Sequence, residues 1–470
     1  MHVYPPQTIE RAAGETLAAG IAGLQTKLAD PADTDFGGGT NYVFDLKDWA
    51  ATEYLAANTE GVLSGPPDKS RIAITFRNSG AAPRTITYKK TGGTYQAADT
   101  GALFTVNGQV QLILEGNITL DGLQAANDGI DNTGSLIRVK GQGILEIKDG
   151  VTLSGNTKPA ITANFKTTLD SFAVTLERFA IFRMSGGTIT GNTGASAVSI
   201  DLSAAFTMTG GSIKDNNGRA VYILCLNNTG ADSTDTTDHI TGTTTEPDSG
   251  IFIMNGGAIT GNSTNGDGGA VYINWRSSFY MSGGEISGNT AAERGGAVFI
   301  NEYSLLTSEE EIQKYRLTAS FAMQGGSITG NTATLSGEDV YIPAISTFTM
   351  QGDSRVGRIS LNSRYMRSAL ISACVTLGGD FIGAGNIAVI DLVNQTDGTN
   401  YWLSGINGEY PAVLRLGGTY TGLNGMGIMP AARFVPGSRK TFNAGGTVST
   451  TPLTGYEIDN STGLLVTIVP

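Results

Sequence analysis

The sequence predicts an all-β chain wound into a right-handed parallel β-helix, with a capping helix at its N-terminal end. Three observations favour this fold: a recurring phrase F-x-M-x-G-G-x-I-x-G-N, a nearly constant spacing between its copies, and an apolar run that closes each repeat. Complete or near-complete copies lie at 182–192, 206–216, 252–262, 279–289 and 321–331, and a broken copy starts at Phe348. Self-similarity at a period of roughly 20–50 residues is typical of solenoids, propellers and arrays.

Each copy has the pattern expected of two strands joined at a corner. Phe182 and Met184 lie two residues apart, so in a strand they face the same side. Ile189 follows Met184 by an odd number of positions, and the intervening Gly-Gly pair permits the corner that resets the alternation. A Gly-Asn pair predicts the second corner. The third apolar run then appears at 197–200, 220–223, 270–273, 297–300 and 339–342.

The spacing of the copies leaves no room for a helix between strands. Met184 and Met208 are 24 residues apart, whereas Met254 and Met281 are 27 apart. Stacked coils of this size would pair in parallel about 4.8 Å apart, and roughly a dozen of them would form a rod of about 60 Å. The handedness rule for parallel crossovers favours a right-handed coil.

Two internal columns of side chains follow from this stacking. We predict a methionine column of Met184, Met208, Met254, Met281, Met323 and Met350, with a phenylalanine column of Phe182, Phe206, Phe252, Phe279, Phe321 and Phe348 beside it. An asparagine lies eight residues after each of the first five methionines: Asn192, Asn216, Asn262, Asn289 and Asn331. Because buried polar groups are generally paired, we interpret these as a structural ladder of side-chain amides rather than as calcium or ligand sites.

The chain divides into three parts of one domain. Residues 1–100 form an N-terminal cap, in which apolar residues at helical spacing predict an amphipathic helix over 16–29, followed by irregular strands. Such a helix would cover the open end of the solenoid, and its few basic residues favour this role over a membrane-surface one. Residues 101–373 form the regular coils, and residues 374–470 form irregular coils with a C-terminal cap.

Two insertions interrupt the regular coils. Residues 225–250 are polar and rich in Thr and Asp, which predicts a solvated loop. Residues 301–320 contain the capping box Ser308 to Glu311, which predicts a short helix on the side wall. Loops on a rigid scaffold often carry function, so these insertions are the favoured binding regions.

Charge and composition exclude several classes of partner. The net charge is −12, spread along the chain, which argues against nucleic acid and against docking on anionic lipid. No apolar run reaches the length of a membrane span, and the first residues lack the apolar core of a signal peptide, so we expect export through a signal absent from this chain. Cys225 and Cys374 would lie too far apart for a disulfide, which favours buried free thiols.

The repeat, the N-terminal helix and the closing phrase YEIDNSTGLLV resemble bacterial surface β-helix proteins, in particular spirochaetal surface lipoproteins with GG-x-I-x-GN coils. The GGAV phrases before Tyr272 and Phe299 also resemble, more weakly, the repeats of polymorphic outer-membrane protein passengers, because the companion F-x-x-N phrase is not regularly paired with them. The resemblance implies a solenoid like that of pectin lyases and exposure at a cell surface. It carries over no catalytic residue.

An enzymatic alternative rests on few residues. Polysaccharide lyases and glycoside hydrolases of this fold use acidic clusters with His, Arg or Lys. Here the phrase NDGID at 127–131, with Asp128 and Asp131, reads better as a turn. The only histidines are His2, which is terminal, and His239, which is in the polar insertion. We therefore expect no catalytic residue, no cofactor and no cleavage of acidic polysaccharides.

Two other sites were weighed on the outer surface. Asp267, Glu293, Glu338 and Asp339 could line one corner as a weak calcium site, although solvated corner charge is the simpler interpretation. Thr188 and Thr190 start a hydroxyl array of the kind that binds ice, but Ser212 and Lys214 replace them in the next copy. The sequence thus favours a non-catalytic, adhesin-like surface protein that binds a host, matrix or neighbouring-cell protein or glycan. The alternative is a subunit that assembles with itself into extracellular filaments or sheaths.

Overall fold

Parallel strands stacked in columns form the architecture seen in a computed structural model of the chain. The structure describes residues 6–30, 41–66, 71–123, 132, 134–156, 174–176, 179–200, 203–224, 250–274, 277–301, 319–343 and 346–362, and beyond these only 364–366, 369–371, 373–378, 380–382, 386–392, 413–416, 427–429, 439–442, 448–451, 456–459 and 464–467. The chain divides into two compact units. Unit 1 comprises Met1–Tyr222 and Gly250–Asn262, and unit 2 comprises Ile223–Ser249 and Ser263–Pro470.

Unit 1 contains three columns of parallel strands. The first column is Gln7–Thr8, Asn41–Asp45, Ile72–Asn78, Val110–Gly116, Ile144–Ile147, Ile181–Met184, Ala205–Met208 and Ile251–Met254. The second column is Thr52–Leu55, Arg84–Tyr88, Ile118–Asp121, Val151–Ser154, Thr188–Thr190, Ser212–Lys214 and Ala258–Thr260. The third column is Val62–Leu63, Phe104–Val106, Ile137–Val139, Val174–Leu176, Thr193–Ile200 and Asn217–Ile223. Successive coils visit the columns in turn, which confirms the predicted parallel β-helix.

The interior of unit 1 is built from side chains in register. Phe182, Phe206 and Phe252 are buried and stack with ring centroids 4.3 and 4.8 Å apart. Beside them Met184, Met208 and Met254 pair in the same register and are also buried. At the Gly-Gly corner, the second glycine has a positive φ, as in Gly187 at 75°, a conformation that side-chain-bearing residues rarely adopt.

The predicted N-terminal helix is present as α1, Leu17–Ala29. Its N-cap residue Thr16 accepts a hydrogen bond from the Ala19 amide, and its apolar stripe of Leu17, Ile21, Leu24 and Leu28 is buried against the first coil. The buried carboxylate of Glu53, in the strand beneath, accepts the backbone N–H of Leu17 at 2.9 Å. The helix therefore covers the edge of the second column. Two short 3-10 helices, Leu46–Asp48 and Ala97–Asp99, complete the helical elements of unit 1 among the described residues.

Unit 2 repeats the same plan. Its first column is Ser278–Met281, Ser320–Met323, Thr347–Met350, Cys374–Leu377 and Val413–Leu416. The second column is Glu285–Ser287, Ser327–Thr329 and the start of Arg355–Asn362. The third column is Val271–Ile273, Val298–Ile300, Val340–Pro343, the end of Arg355–Asn362, Ile387–Leu392 and Gly427–Met429. Short corner strands Ser263–Thr264, Thr290–Ala291 and Thr332–Ala333 pair in a further row.

The phenylalanine and methionine columns recur in the core of unit 2. Phe279, Phe321 and Phe348 stack at 4.8 and 4.5 Å, and Met281, Met323 and Met350 pair in register beside them. All six side chains are at most 1% exposed. The same Phe and Met positions thus supply the apolar interior of both units.

The coil that starts at the broken copy of the repeat has lost a corner. Arg355–Asn362 is one continuous strand, which pairs with Ser327–Thr329 at its start and with Val340–Pro343 at its end. The broken copy lacks the pair that turns the chain in the other copies, which is Gly-Asn in four of them and Asp215-Asn216 in the copy at 206–216. Without that corner, the second and third strands of the coil merge.

Antiparallel hairpins occur among and after the last coils. They are Arg364–Met366 with Ala369–Ile371, Arg439–Phe442 with Val448–Thr451, and Tyr456–Asp459 with Leu464–Thr467. The last strand also pairs antiparallel with the third column, through Leu464 and Gly427. The closing phrase YEIDNSTGLLV therefore supplies both strands of one hairpin.

Candidate functional site

The two insertions are attached to the same edge of the coil. Leu224, at the end of Asn217–Ile223, is the last described residue before the first insertion, and Asn301 is the last before the second. Between them, the Asn274 amide donates to the Ile223 carbonyl at 3.0 Å, and the Asn301 amide donates to the Ile273 carbonyl at 2.8 Å. The attachment points therefore lie in one column with a single coil between them, which places them about 10 Å apart at the usual strand spacing.

This edge, which we call the insertion edge, consists of Ile223, Leu224, Asn274 and Asn301. The Asn301 amide nitrogen Nδ2 donates to Asn274 Oδ1 at 2.8 Å, and Asn274 is only 8% exposed. This amide pair ties two successive coils together where the chain leaves the wall. Residues 225–249 and 302–318, including Cys225, His239 and the capping box, lie outside the described residues.

A ladder of buried asparagines runs along the second corner of unit 1. Asn192 Nδ2 donates to Asn216 Oδ1 at 2.9 Å, and Asn216 Nδ2 donates to Asn262 Oδ1 at 2.8 Å. The backbone N–H groups of Asn192 and Asn216 donate to the same two oxygens. Asn216 Nδ2 also donates to the carbonyls of Ile189 and Lys214. These amides satisfy corner groups of successive coils, which is a structural use of the side chains.

The ladder of unit 1 extends beyond the residues that the repeat phrase identified. The Asn156 backbone amide donates to Asn192 Oδ1 at 3.1 Å, and Asn132 Nδ2 donates to Asn156 Oδ1 and to the Tyr88 hydroxyl oxygen. Tyr88 in turn donates to the Gly101 carbonyl at 2.6 Å. Burial raises the pKa of Tyr88 well above its usual range, so this end of the ladder is a neutral phenol. Asn156 ends a looser copy of the repeat and could have been found from it, whereas Asn132 follows no such copy.

In unit 2 the ladder ends differently. The Asn289 side chain donates to Asn331 Oδ1 at 2.9 Å, and Asn331 donates from its backbone N–H and from Nδ2 to Asp339 Oδ1, at 3.1 and 2.9 Å. Asp339 Oδ2 accepts the Arg358 amide at 2.8 Å. Burial raises the pKa of Asp339, and these hydrogen bonds oppose that shift. Asp339 lies where the preceding copy has Ala297, and its carboxylate receives three N–H groups.

At the acidic corner considered as a calcium site, the carboxylate of Asp267 is bound to an arginine. Asp267 forms a two-pronged ion pair with Arg294, with Nε to Oδ1 at 2.9 Å and Nη2 to Oδ2 at 3.0 Å. The Arg294 guanidinium lies over the rings of Phe299 and Tyr341, 4.9 and 5.3 Å from their centroids. This packing makes the pair part of the wall.

The two neighbouring acidic residues are placed differently. Glu338 Oε2 lies 3.4 Å from Arg358 Nε in an ion pair, whereas Glu293 is exposed. Among the residues that the structure describes, no three His, Cys, Asp or Glu side chains are grouped to hold a metal ion. The four residues of the predicted acidic row thus have separate roles or surroundings.

A single column of hydroxyl side chains lies on the outer face of unit 1. The residues in register are Thr52, Thr85, Thr119, Thr152, Thr188 and Ser212, with Ala258 next. The complete copies of the repeat phrase begin at Phe182, so the four threonines on the N-terminal side precede them and are not part of the sequence pattern. The column two residues on is mixed, with Tyr54, Asp121 and Lys214 among its members. The two-column threonine array needed for ice binding is therefore not formed.

The residues weighed for catalysis, His2, Asp128, Asp131 and His239, lie outside the described residues. Within the described part of the chain, no helix is long and apolar enough to cross a bilayer. Comparisons of the chain with protein-family models, with curated proteins and with solved structures find no match.

Proposed function

We propose that this chain is a non-catalytic, adhesin-like binding protein, secreted or held at a cell surface, whose two insertions carry recognition of a host, matrix or neighbouring-cell protein or glycan. One observation carries the proposal: both insertions begin at the insertion edge, with one coil between them. Two segments that start about 10 Å apart can contribute to one binding surface.

The scaffold beneath the insertion edge supports this use. The side-chain amides of Asn274 and Asn301 are paired, and the backbone N–H of Asn274 donates to the Ile223 carbonyl, so hydrogen bonds tie together the coils from which the two segments depart. A rigid wall with variable segments at one edge is an arrangement in which loops commonly carry specificity. The spread negative charge suits an extracellular protein that avoids nucleic acid and anionic membranes.

The test is a set of deletions in the full chain. Removing 228–248, or 303–318, or both, should leave the melting temperature and the far-ultraviolet circular dichroism nearly unchanged, because neither segment adds a coil. Binding of the intact protein would be measured on a printed array of extracellular-matrix proteins and glycans. The double deletion should abolish the binding signal.

A matched control keeps length and composition. Scrambling the order of residues 228–248 should reduce array binding as the deletion does, while the native chain binds. If the doubly deleted chain binds as well as the native one, recognition does not involve the insertions and the proposal is wrong. Concentration-dependent filaments in electron micrographs of the native protein, lost in the double deletion, would instead favour self-assembly.

A further inference from the structure

A polar cleft opens on the third column of unit 1. Its volume is about 450 Å³, which is within the range of small-molecule sites. Thr105 and Arg138, which pair in register, line it together with Lys140, which directly follows the strand Ile137–Val139. Asn58 and Asn107 contribute the side-chain amides of the lining.

The charge of the cleft is opposite to that of the chain. Among the lining residues that the structure describes, two side chains are cationic, Arg138 and Lys140, and none is acidic, although the whole chain carries a net charge of −12. Arg138 and Lys140 are two residues apart along an extended segment, so their side chains leave the same face. Both are half-buried, which reduces screening of their charge by solvent. The cleft therefore attracts an anion.

The walls of the cleft are fixed by hydrogen bonds. Asn58 Oδ1 accepts the Ala102 amide at 3.0 Å, and its Nδ2 donates to the Thr100 carbonyl at 3.3 Å. Asn107 Nδ2 donates to the Ser64 hydroxyl at 2.9 Å. At the floor, the Gly101 amide donates to Asn132 Oδ1 at 2.7 Å, which joins the cleft to the buried ladder. A preformed polar site loses little conformational entropy when a ligand binds.

We propose that this cleft binds a carboxylate-bearing sugar unit. The guanidinium of Arg138 presents a planar fork that matches a carboxylate, and Lys140 adds a second positive charge. The threonine hydroxyls and asparagine amides of the lining suit the hydroxyl groups of a sugar. Of the described residues that line the cleft, none is aromatic and few are apolar, so an apolar or aromatic ligand has little surface to bury. The residues of this cleft are not those of the insertions, so failure of this inference would leave the proposed function standing.

The test is calorimetric titration of the full chain with sodium glucuronate, with glucose and acetate as matched probes. Glucuronate should bind saturably at one site and more weakly as salt is added. Glucose lacks the charge and acetate lacks the hydroxyl groups, so each should bind at least about tenfold more weakly, a change that corresponds to about 1.4 kcal/mol. Lys140→Gln and Arg138→Gln should each weaken glucuronate binding at least about tenfold.

Lys214→Gln serves as the control, since it removes an exposed cation from another face of unit 1 and should leave the affinity unchanged. Lys140→Gln keeps the test open if Arg138→Gln disturbs folding, which circular dichroism would show. Absence of saturable glucuronate binding, or binding unaffected by Lys140→Gln, would overturn the proposal. Equal affinity for acetate would overturn the sugar assignment, and equal affinity for glucose would overturn the role of the two cations.

Discussion

The two units have the same core but end their asparagine ladders in different chemistry. In unit 1 the ladder reaches Asn132 and the neutral hydroxyl of Tyr88. In unit 2 it ends on the carboxylate of Asp339. The repeat determines the Phe and Met positions inside each coil, whereas the group at an end of a row of buried amides depends on the residues that the coil at that end supplies.

The largest effects should be equal in the two units, because their cores are alike. Met208→Asp in unit 1 and Met281→Asp in unit 2 each place a charge without a partner in an apolar column, and each should lower the free energy of unfolding by at least about 4 kcal/mol. Urea unfolding followed by circular dichroism measures this. Met208→Leu and Met281→Leu, which conserve volume, should cost less than about 1.5 kcal/mol. An Asp variant that melts with the parent would contradict the inward placement of that methionine.

Interior rungs of the ladder should come next. Asn216→Ala removes the acceptor for two N–H groups of Asn192 and the donor to two carbonyls, and should cost about 3 kcal/mol in urea unfolding. Lys214→Ala, at an exposed position nearby, is the control and should change stability by less than about 0.5 kcal/mol. Equal losses in the two variants would mean that the buried amides are not important for the corner.

The ends of the ladders should differ from each other. Asp339→Ala leaves three N–H groups without their acceptor and should cost about 2 kcal/mol, although loss of the buried charge offsets part of this. Tyr88→Phe removes one hydroxyl that donates once and accepts once, and should cost about 1 kcal/mol. Denaturant midpoints of the two variants test the order, and a larger loss for Tyr88→Phe would reverse the comparison.

The smallest effect is a difference in pH dependence. Burial raises the pKa of Asp339, so the folded state binds the proton of this carboxyl group more tightly than the unfolded state does. Its contribution to stability is therefore fully present below the usual pKa of an aspartate, and is lost as the pH rises through the raised value. In unit 1 the Thr91 hydroxyl lowers the pKa of Asp99, so that contribution is present above the usual pKa and is lost as the pH falls.

Unfolding of Asp339→Asn and Asp99→Asn, each compared with the native chain from about pH 3 to pH 7, measures these two contributions. The stability of the native chain relative to Asp339→Asn should fall as the pH rises, and relative to Asp99→Asn it should increase. Slopes of the same sign would show that the two carboxyl groups have similar surroundings after all.

The repeat phrase predicted most of the fold because the positions of its residues are determined by their near neighbours in the sequence. Phe182 and Met184 needed only strand alternation, and Gly187 needed only the φ angle of a corner. Thr16 and the apolar stripe of α1 likewise follow from local spacing. The hairpin formed by the closing phrase depends on pairing between segments, for which the repeat gave no pattern.

The ladder ends and the cleft could not be predicted in this way. Asp339 lies eight residues from Asn331 along the chain, but its role depends on the missing corner of the next coil. The cleft joins Asn58 to Arg138, 80 positions later, through coils whose register no local pattern fixes. Contacts between residues of different coils leave no pattern in the sequence and are visible only in the folded structure.

The direction of the ladder has an electrostatic consequence. In unit 2 the amide of Asn289 donates toward Asn331, and that of Asn331 donates toward Asp339, so the bond dipoles point the same way. A row of aligned amide dipoles, like the backbone of a helix, has a positive end where its last N–H groups emerge. Asp339 places a negative charge at that end. The carboxylate of this coil thus acts toward a stack of side chains as an acidic N-cap residue acts toward a helix.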